Sequence, residues 1–333
     1  MTTALLLTDA DVDGLADPAD YVDAVREGYR QRGEGAPARP RTQLPSEEPP
    51  GSLTSYVAIL PETGAMGGYT YSAGFGARDA WFLTPLFDAE SGEPLAVLDG
   101  TSMNPFKTGA AGAVAVDALA REDATEIAVI GSGAQARGQF QCTATVREFE
   151  SGRVYSPTAD NREQFAEEMT EATGVSLEPV ESSSEAVRNA DVVITATTAS
   201  DPVFEADDLE DGAHVTAMGQ YTPGRRELDV PTIERATYVP DLRDRAFQDA
   251  GSFLAALDEG AIDEEHVHGE LGDVVAGTVP GRTSDDEITV FDSGGTAIET
   301  VAGGYLLYER ARDAGRGTEI EFAPASEALT GRM

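Results

Sequence analysis

The sequence predicts an α/β protein built on a doubly wound parallel sheet. Two observations carry that prediction. From residue 125 onward apolar strands alternate with helical stretches, and the first of those strands runs straight into a glycine turn, "IAVIGSGAQARGQF". The first third instead holds consecutive strands rich in aromatic and β-branched residues, so it reads as mainly antiparallel.

Taken in order, "DPADYVDAVREGYRQRG" reads as a short helix. The strands "SLTSYVAIL", "GGYTYS", "AWFLTPLFD" and "PLAVLDG" follow, with "AESGE" supplying hairpin chemistry between the last two. "NPFKTGAAGAVAVDALARED" carries small and apolar residues at helical spacing, among them Ala110, Ala111, Val114 and Leu119, which suits close packing on a neighbour. "TEIAVIGSG" is then a strand, "AQARGQFQCTATVREF" a helix, "GRVYS" a strand and "DNREQFAEEMTEATG" a helix. "DVVITATT", "AHVTAMG", "ATYVP" and "ITVFDSGG" complete the strands, and "TAIETVAGGYLLYERARDAGRG" is a long final helix ending in glycine.

The 333 residues fit two domains of ordinary size. Sixty acidic residues against 23 basic ones give a formal charge of −37, yet 41% of the chain is hydrophobic and the acids are scattered. A disordered acidic tail would show a block of like charge and little apolar content. An acidic surface on a normal core points to a cytoplasmic protein of a high-salt cell, where concentrated salt screens self-repulsion. With no basic patch to neutralise phosphates, nucleic acid is excluded as a partner, and anionic membrane surfaces with it. The N-terminal "MTTALLLTDADVDG" lacks the features of a secretory signal, and no stretch approaches a membrane span. Cys142 is the single cysteine, which excludes an intrachain disulfide and reads as an inert buried thiol.

In "VIGSGAQARGQ", Gly131 allows the tight turn and Gly133 lets backbone approach a pyrophosphate. The helix amides from Ala134 and Gln135 then face the phosphates, with Ala136 keeping helix and strand close. The bland alternative is a structural glycine turn. NAD binders usually carry an acid at the end of the next strand, for the ribose hydroxyls. "VYSPTADNR" offers Ser156, Thr158 and Arg162 there, which favours NADP over NAD, with Asp160 nearby as the counter-indication. Thr197 and Thr198 after "DVVITA", Met218 and Gly219 after "HVTA", and Ser293 and Gly294 after "ITVFD" are the further residues expected beside the cofactor. Strand-end turns would explain the same glycines.

Lys107 is the one lysine among 23 basic residues; the other 22 are arginines. Lysine is a compact point charge whose pKa moves on burial, whereas arginine is a permanently charged fork, so an isolated lysine is a candidate site residue. His266 and His268 in "EEHVHGELGD" lie among carboxylates, but alternating spacing in an acidic loop reads as solvated surface, and no metal is expected. No G-x-S-x-G, C-x-x-C or phosphate-loop lysine supports a hydrolase or kinase.

The blocks "LFDAESGEPLAVLDG", "KTGAAGAVA", "VIGSGAQARGQ", "DVVITATT", "HVTAMGQYTPGRRELD", "GELGDVVAGTVPGRTSDDEITVFDSGG" and "TAIETVA" together resemble the ornithine cyclodeaminase/μ-crystallin family of NAD(P)-dependent proteins. The resemblance runs over almost the whole chain. It implies a Rossmann-type dinucleotide domain, residues 119–301, inserted in a discontinuous α+β substrate-binding and dimerisation domain, residues 1–118 plus 302–333. It also implies a homodimer and an amino or imino acid held by two cations, which map to Arg41 (or Arg39) and to Lys107, where the family places an arginine. The family's usual catalytic lysine and acid have Tyr69 and Tyr221 in their places, so true ornithine cyclodeaminase chemistry is not expected. One reading is then an NAD(P)H-linked reductase or dehydrogenase of a small imino or amino acid. Tyr69 would give the proton, its pKa lowered by a nearby ammonium such as Lys107, with Tyr71 and Tyr221 as rival donors. The other reading is a dinucleotide-binding protein without turnover.

Overall fold

A computed structural model describes residues 2–76 and 79–329 of the chain. It begins with β1 (Thr2–Leu7), α1 (Asp9–Val12) and α2 (Pro18–Gly33), followed by β2 (Thr42–Glu47), β3 (Pro50–Leu60), β4 (Ala65–Ala73), β5 (Ala80–Asp88) and β6 (Pro94–Asp99). Next come α3 (Asn104–Leu119), β7 (Glu126–Ile130), α4 (Ala134–Thr143), β8 (Ser151–Tyr155), α5 (Ala159–Thr173), β9 (Ser176–Pro179), α6 (Ser183–Val187) and β10 (Val192–Thr195). β11 (His214–Ala217), α7 (Val230–Arg235), β12 (Thr237–Pro240), α8 (Arg243–Asp249), α9 (Gly251–Asp258), α10 (Leu271–Val275) and β13 (Thr289–Asp292) follow. The chain ends with α11 (Ala297–Asp313), β14 (Thr318–Phe322) and α12 (Ala325–Leu329). Among the described residues no helix is long and apolar enough to cross a membrane.

The chain divides into two units, one of Met1–Asn104 with Thr296–Met333 and one of Pro105–Gly295. The first is a seven-stranded sheet in the order β14-β1-β6-β5-β4-β3-β2, antiparallel except for the parallel pair β1–β6. Asp17 caps α2 by accepting from the Asp20 amide, with Pro18 at the first helical position, and Thr296 and Glu299 form the capping box of α11. Arg310 on α11 clasps the Asp20 carboxylate on α2. α11 packs against β3, β4 and β5, so that face of the sheet buries Tyr56, Ala58, Leu60, Tyr69 and Leu86.

The opposite face is apolar and exposed. Cross-strand register aligns Leu44, Leu53 and Trp81 in one row, Leu83 in the next, Val57 in a third, and Ile59 with Phe87 in a fourth. All seven side chains are among the exposed large hydrophobics. β1, β2 and β14 are absent from the sequence reading. β2 and β14 are the edges of the sheet, where Pro45 and the alternating acids of "TEIEF" mask strand character while protecting the edge.

The second unit holds the predicted parallel sheet, in the order β12-β13-β11-β10-β7-β8-β9. Alternation along β7 sends Ala128 and Ile130 to one core and Ile127 and Val129 to the other. The first core includes Ala186, Ile233, Ala246 and Phe253, and the second Ala136, Phe140, Phe165 and Met169, so helices cover both faces. α4 ends at Thr143, short of the expected helix through residue 149. The β-branched run "TATV" disfavours helix there, and the Thr145 hydroxyl donates to the Cys142 carbonyl to turn the chain.

The unit boundaries differ from the expected 118/119 and 301/302: α3 lies, from Pro105 onward, in the unit with the parallel sheet, and α11 lies whole in the other. Small residues tie α3 to α4. A Cβ on Gly109 would sit 2.3 Å from the Gly138 carbonyl oxygen, and one on Gly138 would sit 2.2 Å from that of Pro105. Only glycine at both positions allows backbone to meet backbone in this way.

On β11, His214 is fully buried between the hydroxyls of Thr289 (2.9 Å from Nδ1) and Thr216 (3.0 Å from Nε2). Thr289 donates its own proton to the Leu119 carbonyl, so Nδ1–H donates to Thr289 and the neutral ring is satisfied. Burial, together with the nearby Arg282 and Arg147, pushes the imidazole down to about 3.

Two outcomes follow from this packing. Gly109→Ala should lower stability by ~1–3 kcal/mol in denaturant titrations, because the added methyl forces α3 off α4. Between pH 6.5 and about 3 the unfolded chain protonates His214 and the folded chain does not, so stability is lost as pH falls through that window. His214→Gln should flatten this part of the stability-against-pH curve relative to the parent protein.

Candidate functional site

β7 delivers the chain to Gly131, whose φ of 122° is left-handed and where a Cβ would lie 2.4 Å from the Ala196 carbonyl oxygen. Gly131 is therefore obligatory as a turn between β7 and the loop after β10. These strands are neighbours, and the chain leaves them for opposite sides of the sheet: β8 and β9 continue one way, β11 and β13 the other. That is the switch point at which open parallel sheets bind ligands. Gly133 caps α4, and among the described residues no side chain caps its first-turn amides and nothing lies within 4 Å of where a Cβ would project. Gly133 and Ala134 are exposed, and Ala136 is buried beneath them. Uncapped amides, the positive end of the helix dipole and open space fit a dinucleotide pyrophosphate.

On the β8 side, the Ser132 hydroxyl donates to that of Ser156 (3.0 Å), and Ser156 is buried. Arg162 reaches back from α5 to donate to the Ser156 carbonyl (3.1 Å). Asp160 is exposed in the first turn of α5. The strand end thus presents hydroxyls and a guanidinium.

On the other side, two buried carboxylates organise the loops. Glu227, 2% exposed, accepts from the Thr195 hydroxyl (3.0 Å) and from the backbone amides of Thr197 (2.7 Å) and Gly219 (2.7 Å). Burial pushes its carboxyl up, while these hydrogen bonds pull it down. The Gln220 side chain adds a bond to the Thr197 carbonyl (2.9 Å), and Arg225 donates to that of Thr198. Thr198 is exposed, and Met218 is buried. Asp241, after β12, accepts from the Ser293 hydroxyl (3.1 Å) and from the amides of Gly294 (2.9 Å) and Gly295 (3.2 Å). Its other oxygen accepts from Nε of Arg245 (2.8 Å), a fully buried guanidinium that also pairs with Asp292 (2.7 Å).

Lys107 stands in the first turn of α3 and is 1% exposed. The next residue ties that turn to the nucleotide helix: the Thr108 hydroxyl donates to Oε1 of Gln135 (2.5 Å). Gln139 adds a bond from Nε2 to the Thr108 carbonyl (2.9 Å). The lone ammonium therefore belongs to the helix turn that abuts the glycine turn, buried at the positive end of that helix, a position that favours an anionic partner. Cys142, on α4, directs its thiol to the Phe106 carbonyl, and burial pushes it up, away from thiolate chemistry. His266 and His268 donate to the carbonyls of Ile233 (2.7 Å) and Pro280 (2.8 Å).

The other unit carries Arg41, Tyr69 and Tyr71. Arg41 is 7% exposed with its guanidinium 5.9 Å from the Tyr56 ring centroid, whereas Arg39 is exposed. Tyr56, Tyr69, Tyr71 and Phe82 form one aromatic cluster on the face covered by α11. Tyr69 departs from expectation. Its hydroxyl donates to the Gly100 carbonyl (2.9 Å), and burial pushes the phenol up, aided by the field of Tyr71, Asp99 and Glu299. The anticipated depression of its pKa does not occur, because desolvation dominates. Tyr221 is 44% exposed in the loop after β11. Sequence reasoning missed Thr108, Glu227, Asp241 and Arg245. Of these, Thr108 in the "KTGAAGAVA" block and Glu227 in the "HVTAMGQYTPGRRELD" block drew notice, without a role.

A profile of the ornithine cyclodeaminase/mu-crystallin family matches residues 2–315. The chain is 36% identical over 327 residues to the alanine dehydrogenase of Archaeoglobus fulgidus, covering 96% of this chain and 98% of that protein. Its fold superposes with a TM-score of 0.89 on the Δ1-pyrroline-2-carboxylate reductase of Thermococcus litoralis solved with NADH and L-proline, at 33% identity over 95% of this chain and 100% of that one. An archaeal alanine dehydrogenase dimer with bound NAD gives 0.89 at 34% identity, over 97% and 100%. The glycine turn, the switch-point loops and the match along nearly its full length agree: the chain belongs to the ornithine cyclodeaminase/mu-crystallin family.

Proposed function

We propose that the protein is an NAD(P)H-linked oxidoreductase that interconverts a small amino acid with its imino or oxo acid. The observation that carries the reading is the Thr108–Gln135 bond, which sets the turn bearing the one lysine against the first turn of the nucleotide helix. A cation beside a dinucleotide turn suits a substrate with a carboxylate. The relatives named for alanine and for pyrroline carboxylate, one of them solved with L-proline, support a small amino or imino acid.

When bound, the dinucleotide supplies or takes up hydride. Gly131, Gly133, Ala134 and Gln135 would hold its pyrophosphate. Thr197, Thr198, Met218, Gly219, Ser293 and Gly294 would border its nicotinamide end. Ser156 and Arg162 would take the adenosine ribose; hydroxyls and a guanidinium favour a 2′-phosphate, while the solved relatives carry NAD or NADH. Lys107 would hold the substrate carboxylate as a point charge, and Arg41 is the second carboxylate ligand of this proposal. Tyr69 is engaged by Gly100, so its part is to hold that turn, and Tyr71 or Tyr221 is left to attend the substrate nitrogen. The engaged phenol of Tyr69 and the exposed Tyr221 favour one second reading, cofactor binding without turnover.

NADH and NADPH oxidation should be followed in molar salt with cyclic imino acids and with oxo acids plus ammonia or methylamine. Turnover with at least one pair is expected; tight dinucleotide binding without any turnover would establish the second reading. Lys107→Ala should raise KM for the acid on the order of tenfold or more, with dinucleotide affinity little changed. Tyr69→Phe should lower thermal stability and leave kcat nearly unaltered; a large fall in kcat would restore Tyr69 as the proton donor.

We also propose a homodimer formed through the apolar face of the antiparallel sheet. Seven large exposed hydrophobics in register form one patch on a chain of charge −37, and the archaeal alanine dehydrogenase is itself a dimer. Val57→Arg should yield monomers by light scattering, whereas an unaltered mass would remove this face from the interface.

A further inference from the structure

Glu227 reaches across two adjacent parallel strands. Thr195 and Ala217 are register partners at the ends of β10 and β11, and the loops they begin meet on one carboxylate. Oε1 accepts from the Thr197 amide; Oε2 accepts from the Gly219 amide and the Thr195 hydroxyl. Two of these three donors are amides that can only donate, so a buried carboxylate with two accepting oxygens suits them and a carboxamide does not. Glu227 is itself fixed, because its carbonyl accepts from the Val203 amide (2.8 Å) and the following Leu228 amide bonds the Ser252 hydroxyl.

The order of the strands says what this bridge aligns. β8, with Ser156, lies on one side of the glycine turn after β7, while β10 and β11 lie on the other. A dinucleotide laid along the strand ends places its adenosine half over β8 and its nicotinamide half over β10 and β11. We infer that Glu227 is a positioning residue whose carboxylate sets the spacing of the β10 and β11 loops to seat the nicotinamide end, leaving the adenosine end to the glycine turn. This rests on the dinucleotide reading above. The carboxylate touches neither cofactor nor substrate in this scheme, and it acts through the amides of Thr197 and Gly219.

The test compares NADH with ADP-ribose, which keeps the adenosine and pyrophosphate and lacks the nicotinamide. Both are titrated by calorimetry in molar salt into the full-length protein and into Glu227→Gln, whose amide nitrogen must face one backbone N–H. NADH affinity should fall on the order of tenfold while ADP-ribose affinity stays within about twofold. Thr195→Val, which removes one of the three bonds and leaves the carboxylate, should move NADH binding in the same direction by less, and it carries the test should Glu227→Gln not fold. Unchanged affinity for both ligands overturns the inference. So does an equal loss for both, the mark of a merely structural role. If the parent protein binds neither of these ligands nor NADPH, the dinucleotide reading itself fails and takes the inference with it; if it binds both and the variants match it, only the inference fails.

Discussion

The approach of α3 to α4 through Gly109 and Gly138 is the constraint on which the candidate site rests. Two helices whose backbones touch cannot slide without breaking Thr108–Gln135 and Gln139–Thr108. Their first turns are therefore locked in phase. The turn of α4 offers uncapped amides, and the turn of α3 carries the buried ammonium. A cation at the positive end of a helix is electrostatically costly in a low-dielectric setting, and the sequence retains lysine at this one position while using arginine for every other basic residue.

Charge is managed in two opposite ways in this chain. On the surface, acids are numerous and unconcentrated. Inside, two of the buried acids serve several donors: Glu227 takes three, and Asp241 takes three at the 293–295 loop besides the guanidinium of Arg245. A buried carboxylate so satisfied holds loop backbone more firmly than apolar packing could, because each lost bond would leave an amide unpaired. The loops at the strand ends that border the switch point are those so held.

Much of this was legible in the amino acids. The glycine turn, the strand–helix alternation and the hairpin at "AESGE" are local signals, each decided within a dozen residues, and these elements appear where their residues placed them, apart from the early end of α4 at Thr143. Lys107 stood out by composition alone. What escaped notice depends on distance along the chain. Glu227 meets Thr195 across 32 residues and Asp241 meets Ser293 across 52, spans over which no periodicity operates. The unit boundary moved for a related reason, since the glycines of α3 show readiness for close packing without naming the helix they meet. Tyr69 shows the remaining limit: its type suggested acid chemistry, but burial against Gly100 governs its proton, and burial is a property of the fold.

Lysine's near absence has a practical side. An amine-directed acylating reagent has a single side-chain target in the whole polypeptide, and that nitrogen lies out of solvent on the helix turn beside Gln135. Its reactivity is thus a built-in reporter: the rate at which it is modified measures how often the first turn of α3 opens to water, and any occupant that shields it announces itself by slowing the label.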